Sequence, residues 1–380
     1  MIRRSLALVA VVLVVAACGG STASTGSTGG NKAPLKLGVV LSTTGAVAVY
    51  GLPQQTAVQL AVDKINAAGG ASGHRIDLQI LDDGSQPPKS ATMFRQLYDS
   101  GVNLTIGPTF LGALTADGPV ITATSVPHIV LTGVSTTGDF TQSNLFKLIP
   151  AQEIQAQAVL RFAAKKLNAK KVAMITSDDS YGQIQRTSML KYAAQNGITL
   201  VSDEKVEPGT TDATPQVSKL AKDADLIMIL AINPLTVTVL KAIQQLGLDK
   251  PMLGGIGFSQ ATAVQPAGTL KGTLYSLSLF NADDPQPNQK AFISAYQQKT
   301  GQLPPFTAGQ AWDSVQLAAE AVKLGGGVTA DQIKAGLAKI SKYQGVDGAY
   351  TFDPSTHEMF PVDSISFVQY QSNGTYKAVK

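Results

Sequence analysis

From residue 35 onward the chain alternates short apolar runs with longer amphipathic stretches. The runs at 35–41, 76–82, 104–106 and 128–131 read as strands, and helical patterns lie between them at 54–68, 89–99 and 113–124. In the first helix Ala57, Val58, Ala61, Val62 and Ile65 share one face, and Gly69 ends it as a left-handed cap. The second half repeats the grammar. Helices at 151–167, 182–196, 215–222 and 235–246 alternate with strands at 172–176, 199–206, 226–230 and 252–253. Strands and helices alternating through short loops mean parallel sheets covered on both faces. The pattern therefore predicts an α/β protein of two doubly wound parallel-sheet lobes in tandem, with the first break near 148–150. After a strand at 273–278 it changes to three helical segments (289–299, 308–324, 330–340) and strands at 350–352 and 365–370. Such a tail predicts that the chain crosses back between the lobes more than once.

The first residues follow a different pattern. Arg3 and Arg4 precede an apolar run from Leu6 to Ala17, the length of a signal sequence core and too short to span a bilayer. Val15-Ala16-Ala17-Cys18 resembles a bacterial lipobox, in which the cysteine is acylated after cleavage. An ordinary secretory cleavage site is the alternative. Cys18 is the only cysteine of the chain and sits at the junction, so residues 1–17 are expected to be a lipoprotein signal peptide and Cys18 the lipidated residue. Residues 19–33 are almost all Gly, Ser, Thr, Ala and Asn, a composition that buries nothing and behaves as a coil spanning on the order of 20 Å. Residues 18–34 thus read as an anchor and tether that hold a folded body near a membrane.

Composition narrows the function classes. The 380 residues are 44% apolar and 15% charged, with a formal charge of +4, two units of which are Arg3 and Arg4. No basic run exceeds two residues, so no nucleic-acid surface is expected. The three histidines, His74, His128 and His357, are scattered, and no zinc-binding pair exists. Gly133-Val134-Ser135-Thr136-Thr137 lacks the final glycine of a nucleophile elbow. The pairs Asp82-Asp83 and Asp178-Asp179 at strand ends read as loop or helix-cap residues rather than an acid–base couple. Neither catalysis nor a cofactor or metal is expected. The loops at the strand ends are instead rich in Gly, Ser and Thr, at 42–45, 107–112, 132–137, 177–181 and 255–259. Ligands of parallel α/β sheets sit outside the carboxyl ends of the strands. Hydroxyls and backbone N–H groups at helix starts there suit a small anionic or polar group.

Several short stretches carry a resemblance to a known family. They are Lys36-Leu37-Gly38-Val39-Val40, Thr44-Gly45 with Tyr50-Gly51, the stretch Ala61 to Gly70 with its asparagine–glycine ending, Asp82-Asp83 with Pro87, Ile106-Gly107-Pro108, Asp139-Phe140-Thr141 and Asp179-Ser180-Tyr181-Gly182. From about Leu35 to the C-terminus the chain resembles the type I periplasmic binding fold, in particular the leucine/isoleucine/valine-binding-protein-like group of ABC importers. The resemblance implies lobes of residues 35–149 plus 280–353 and 150–279 plus 354–380, joined by a three-segment hinge near 149–151, 278–281 and 353–361. It implies clamshell closure over a small-molecule ligand and docking on ABC permease subunits by a monomer. It places Tyr50, Thr136 and Tyr181 on the ligand, with Thr109, Phe110, Gly112, Val134, Ser135 and Asn233 beside them. Three positions depart from the family pattern: Leu111 stands for a carboxylate-binding serine, Ile232 for a tyrosine, and Ile256 for the acid that pairs an α-ammonium. A buried ammonium without a counter-charge costs several kcal/mol. The expected ligand is therefore a small carboxylate with an apolar or aromatic body, such as a 2-oxo acid. A branched-chain amino acid, or a sensing role through a partner, are the alternatives; an exported hydrolase is disfavoured by the missing elbow.

Overall fold

The computed structural model describes residues 32–135, 142–259, 263–283, 285–360 and 365–379. The first lobe begins with β1 (Leu35–Leu41), an apolar run buried at every position but Lys36, as a central parallel strand requires. It continues through α1 (Ala48–Ala67), β2 (Ile76–Asp82), α2 (Pro87–Asp99), β3 (Leu104–Gly107), α3 (Leu111–Thr122), β4 (His128–Val130) and β5 (Leu145–Lys147). The five strands pair in the order β2-β1-β3-β4-β5, all parallel. The order reverses between β1 and β3, so the loops leaving these two strands diverge and open a crevice.

The second lobe repeats the plan with α4 (Gln152–Lys165), β6 (Lys171–Ser177), α5 (Ser180–Tyr192), β7 (Thr199–Val206), α6 (Thr214–Val217), β8 (Leu226–Leu230), α7 (Leu235–Gln245), β9 (Met252–Gly254) and β10 (Leu274–Ser278). Its parallel strands run β7-β6-β8-β9-β10, with the reversal between β6 and β8. The chain then leaves for α8 (Lys290–Thr300), α9 (Phe306–Gly325), α10 (Ala330–Leu337) and the hairpin β11 (Tyr343–Gln344) and β12 (Ala349–Tyr350). Helix α9 packs on α1 of the first lobe and on α10. It is buried on nearly all sides, as its apolar composition demands. The last strands, β13 (Ser366–Tyr370) and β14 (Tyr376–Ala378), return to the second sheet and add an antiparallel edge beyond β10. This edge is antiparallel because a short turn at 371–375 can connect only antiparallel neighbours. Residues 357–359 run beside β5, where the Lys147 amide donates to the His357 carbonyl (2.8 Å) and the Met359 amide to the Lys147 carbonyl (2.9 Å). Residues 357–359 are thus still tied to the first sheet. Among the described residues no helix is long and apolar enough to cross a membrane.

Three local features depart from or explain the sequence reading. Helix α1 starts six residues earlier than expected, with Pro53 inside it. A proline disfavours helical backbone in the residue before it, but Tyr50, Gly51 and Gln54 are buried, and their packing overrides that preference. Gly51 is required there, because a Cβ would overlap the Ser42 carbonyl. Helix α6 is a single turn where eight residues were expected. The asparagine at the end of α1 fixes that end to the start of β2. Asn66 donates to the Ile76 carbonyl (3.0 Å) and accepts from the Ile76 amide (2.8 Å).

A buried carboxyl behind the first sheet yields a testable pH dependence. Asp117 of α3 accepts from the Ser90 hydroxyl at 2.9 Å, and its other oxygen has no partner. Burial pushes its pKa up to about 8, against the Ser90 bond and with help from the nearby charge of Asp83. The folded protein thus holds a proton that an unfolded chain releases near pH 4. The stabilisation is complete below that value and is lost as pH rises through about 8. Asp117→Asn cannot ionise. Chemical unfolding at about pH 5 and about pH 8.5 should show the variant gaining on the wild type by about 4 kcal/mol across that window. A difference independent of pH would show that Asp117 is already ionised in the fold.

Candidate functional site

The loops at the carboxyl ends of both sheets face each other. From the first lobe, α1 presents Tyr50 and Gln54 one turn apart, on the same helical face. The loop after β3 brings Thr109 and Phe110, and α3 starts at Leu111 with Phe110 extended at its N-cap and no side chain capping it. Its first amides are thus open to an anionic group. From the second lobe come Tyr181 in the first turn of α5, Ile232 after β8, and Ile256 and Gly257 after β9. Together they enclose a cavity of about 70 Å³, room for a small molecule.

Tyr50 joins the two lobes. Its hydroxyl accepts from the Asn233 amide at 3.0 Å and donates to the Gly257 carbonyl at 3.4 Å. Burial raises its pKa, against the hydrogen bond from Asn233, so the phenol stays neutral. Ile184 of α5 also packs against the first-lobe cluster of Leu111, Leu114 and Val134. The lobes are therefore closed on each other around the cavity.

Four glutamines and a threonine that the sequence reading did not single out complete the lining: Gln54, Gln152, Gln155, Thr307 and Gln310. Three of these amides are held by main-chain carbonyls. Gln152 donates to Gly133 (2.7 Å), Gln155 to Pro150 (2.8 Å) and Gln310 to Leu131 (3.0 Å). A carbonyl only accepts, so the amide nitrogens face it, and the oxygens of Gln155 and Gln310 are left without partners. Gln54 is oriented by a relay in which the Ser42 amide donates to the Thr109 hydroxyl (3.0 Å), which donates to Gln54 Oε1 (2.8 Å). Its Nε2 is left unpartnered, as are the hydroxyls of Tyr181 and Thr307. The cavity thus holds buried donors and acceptors of both kinds, each costing about 1–3 kcal/mol while unpaired. Among its described lining residues none is Asp, Glu, Lys, Arg or His.

Of the residues singled out from the sequence, Tyr50, Thr109, Phe110, Leu111, Tyr181, Ile232 and Ile256 line this cavity, and Gly112 and Asn233 line an adjoining one nearer the surface. Val134 and Ser135 line neither. The Val134 side chain is buried in the first-lobe core and its carbonyl accepts from the Gln152 amide (2.9 Å), while Ser135 bonds Glu153. Adjacent residues of an extended segment point to opposite sides, which a contiguous stretch of site residues ignores. Thr136, Asp139 and Cys18 lie outside the described residues. The acidic pairs serve the backbone: Asp82 accepts from the amides of Thr43 (2.9 Å), Thr44 (3.1 Å) and Gly84 (3.0 Å), and Asp179 caps α5 through the Gly182 amide (2.9 Å). Among the described residues no group of three or more His, Cys, Asp or Glu is placed to hold a metal ion.

Known proteins share this architecture. The structure is similar to the branched-chain amino acid transporter substrate-binding protein LivJ from Streptococcus pneumoniae, solved in complex with isoleucine, at 30% identity and a TM-score of 0.80, over 91% of this chain and 99% of that one. It is also similar to a leucine-binding protein, LivK, from Thermotoga maritima (20% identity, TM-score 0.79, 91% and 98% covered). In sequence the chain is 25% identical over 348 residues to a Leu/Ile/Val-binding protein homologue of Brucella melitensis, covering 90% of this chain and 88% of the relative. It is 23% identical over 325 residues to a leucine-, isoleucine-, valine-, threonine- and alanine-binding protein of Pseudomonas aeruginosa (84% and 86% covered). A family model described as periplasmic binding protein matches residues 34–375, and by that match the chain belongs to the periplasmic binding protein family, whose members work outside the cytoplasm.

Proposed function

We propose that the chain is the solute-binding lipoprotein of an ABC importer, capturing a small carboxylic acid with an apolar body between its lobes and presenting it to permease subunits. The observation that carries this reading is the closed, uncharged cavity at the lobe interface, with unpartnered hydrogen-bonding atoms set among Phe110, Leu111, Ile232 and Ile256. Gln54 Nε2, the Thr307 hydroxyl and the first amides of α3 would receive the carboxylate. Gln155 and Gln310 would accept from a donor at the neighbouring carbon. A hydroxyl meets that need without the desolvation cost of an ammonium, so a 2-hydroxy acid suits the cavity better than the 2-oxo acid expected from sequence. The passages between the sheets, near 149–151, 278–281 and after 353, would be the hinge about which the lobes open.

A branched-chain amino acid is the second reading. It is favoured by the same two glutamine oxygens, which could share an ammonium, and by the names of the relatives. Binding as against catalysis is tested by equilibrium dialysis of the mature protein with a mixed panel of 2-hydroxy acids and amino acids. One ligand retained per chain and recovered unaltered is expected, whereas chemical conversion of it would overturn the binder reading.

The anchor is tested separately. Cys18→Ser should release the protein into the medium or leave an uncleaved precursor, because the acyl chains attach through that sulfur. Membrane fractionation with intact-mass analysis reads the outcome. A variant that is processed normally and still fractionates with the membrane would contradict lipidation at Cys18.

A further inference from the structure

The closed lobes leave a second cavity of about 280 Å³ toward the cleft mouth. It shares Phe110, Leu111, Tyr181 and Ile232 with the inner cavity, so those four residues lie between the two. Phe110 and Ile232 are only half-buried. The remaining surface is mostly carbon, from Ala46 and Val47 on the first-lobe lip and Pro208, Pro234 and Leu235 on the second.

Three of its polar side chains, Asp179, Asn233 and Ser85, are already bonded within the protein. Asp179 accepts from the Ser177 hydroxyl and the Gly182 amide, both at 2.9 Å. Asn233 bonds the Ala263 carbonyl (3.3 Å) and Thr236, and Ser85 bonds the Thr44 carbonyl (2.7 Å) and the Val47 amide (3.1 Å). The inner cavity has several unpartnered donors and acceptors, whereas the lining of the outer one is mostly apolar. A polar head and an apolar tail would divide between them accordingly.

We infer that the natural ligand is longer than a branched-chain amino acid: a monocarboxylic acid whose alkyl or aryl tail passes between Phe110 and Ile232 into the outer cavity. The inference rests on the inner cavity holding the acid head, as proposed above. Burying each methylene of such a tail strengthens binding about fourfold.

Calorimetry with 2-hydroxybutanoate, 2-hydroxyhexanoate, 2-hydroxyoctanoate and 2-hydroxy-4-phenylbutanoate on the mature protein tests it. Affinity should rise about fourfold per added methylene. Ala46→Trp, at an exposed position on one lip, should fill the outer cavity and flatten that rise, and Pro208→Trp should do the same from the other lip. A wild-type series that binds but gains nothing from added methylenes overturns the tail and leaves the head-group reading standing. The same rise in wild type and in both variants also overturns it, since the tail would then lie elsewhere. Failure of every acid in the series to bind overturns both.

Discussion

Replacing Tyr50 by phenylalanine should weaken ligand binding tenfold to about a hundredfold while leaving the unfolding of the ligand-free protein nearly unchanged. The hydroxyl ties α1 to the second lobe, taking the Asn233 amide at 3.0 Å and giving to the Gly257 carbonyl at 3.4 Å. In an open molecule water would serve both groups. Closure excludes that water, and without the hydroxyl it would leave a buried amide unpaired, at about 1–3 kcal/mol. The whole penalty therefore falls on the closed, ligand-bound form. The phenylalanine ring keeps the packing of Tyr50, so α1 and β1 should be undisturbed. Calorimetric affinities beside urea unfolding of the free protein separate the two effects. Equal affinities would mean that the Tyr50 bridge is not part of the bound state.

Ile256→Glu should reverse the choice between an amino acid and its deaminated analogue. Ile256 lines the cavity from the end of β9, and no described lining residue carries a charge. Asp179, which lines the adjoining cavity, caps α5, and Asp203 of β7 is paired with Arg186. A glutamate at 256 would give an ammonium its counter-charge and set a like charge against a lone carboxylate. Two charges at about 4 Å interact by about 4 kcal/mol at an effective dielectric constant of 20. Leucine should then bind at least about tenfold more tightly, and 2-hydroxy-4-methylpentanoate at least about tenfold more weakly, than to the wild type. Calorimetry with both ligands on both proteins reads the change. An unchanged affinity ratio would show that the ligand's second carbon is not directed at Ile256.

Much of this fold was legible from its apolar runs. β1 and β8 fall on the expected bounds because a central strand has no polar alternation to blur its ends; β2 and β7, half-buried at the sheet edges, fall on theirs as well. β5, β11 and β14, two or three residues each, show no periodicity and were missed, although β4 and β9, equally short, stood out between helices. The cavity was legible only where strand-end loops build it. Tyr50, Tyr181, Ile232 and Ile256 stood out as aromatic or apolar residues in positions the resemblance marked. Gln152, Gln155 and Gln310 did not, because a glutamine on an amphipathic helix reads as solvent-facing. It takes the packing of α9 on α1, and the passage of α4 between the lobes, to turn those faces inward. The Asn66 bridge shows the converse. Its motif was plain in the sequence, and its physical purpose appears only in the hydrogen bonds to Ile76.

The central claim is that an uncharged cavity takes an acid and refuses the matching zwitterion. Calorimetric titration of the mature wild-type protein with leucine and with 2-hydroxy-4-methylpentanoate, identical in shape but for the group on the second carbon, tests it most directly. The hydroxy acid should bind at least about tenfold more tightly, because it fills the same hydrogen-bonding positions without burying an unpaired ammonium. Leucine binding at micromolar affinity, with the hydroxy acid weaker, would contradict it.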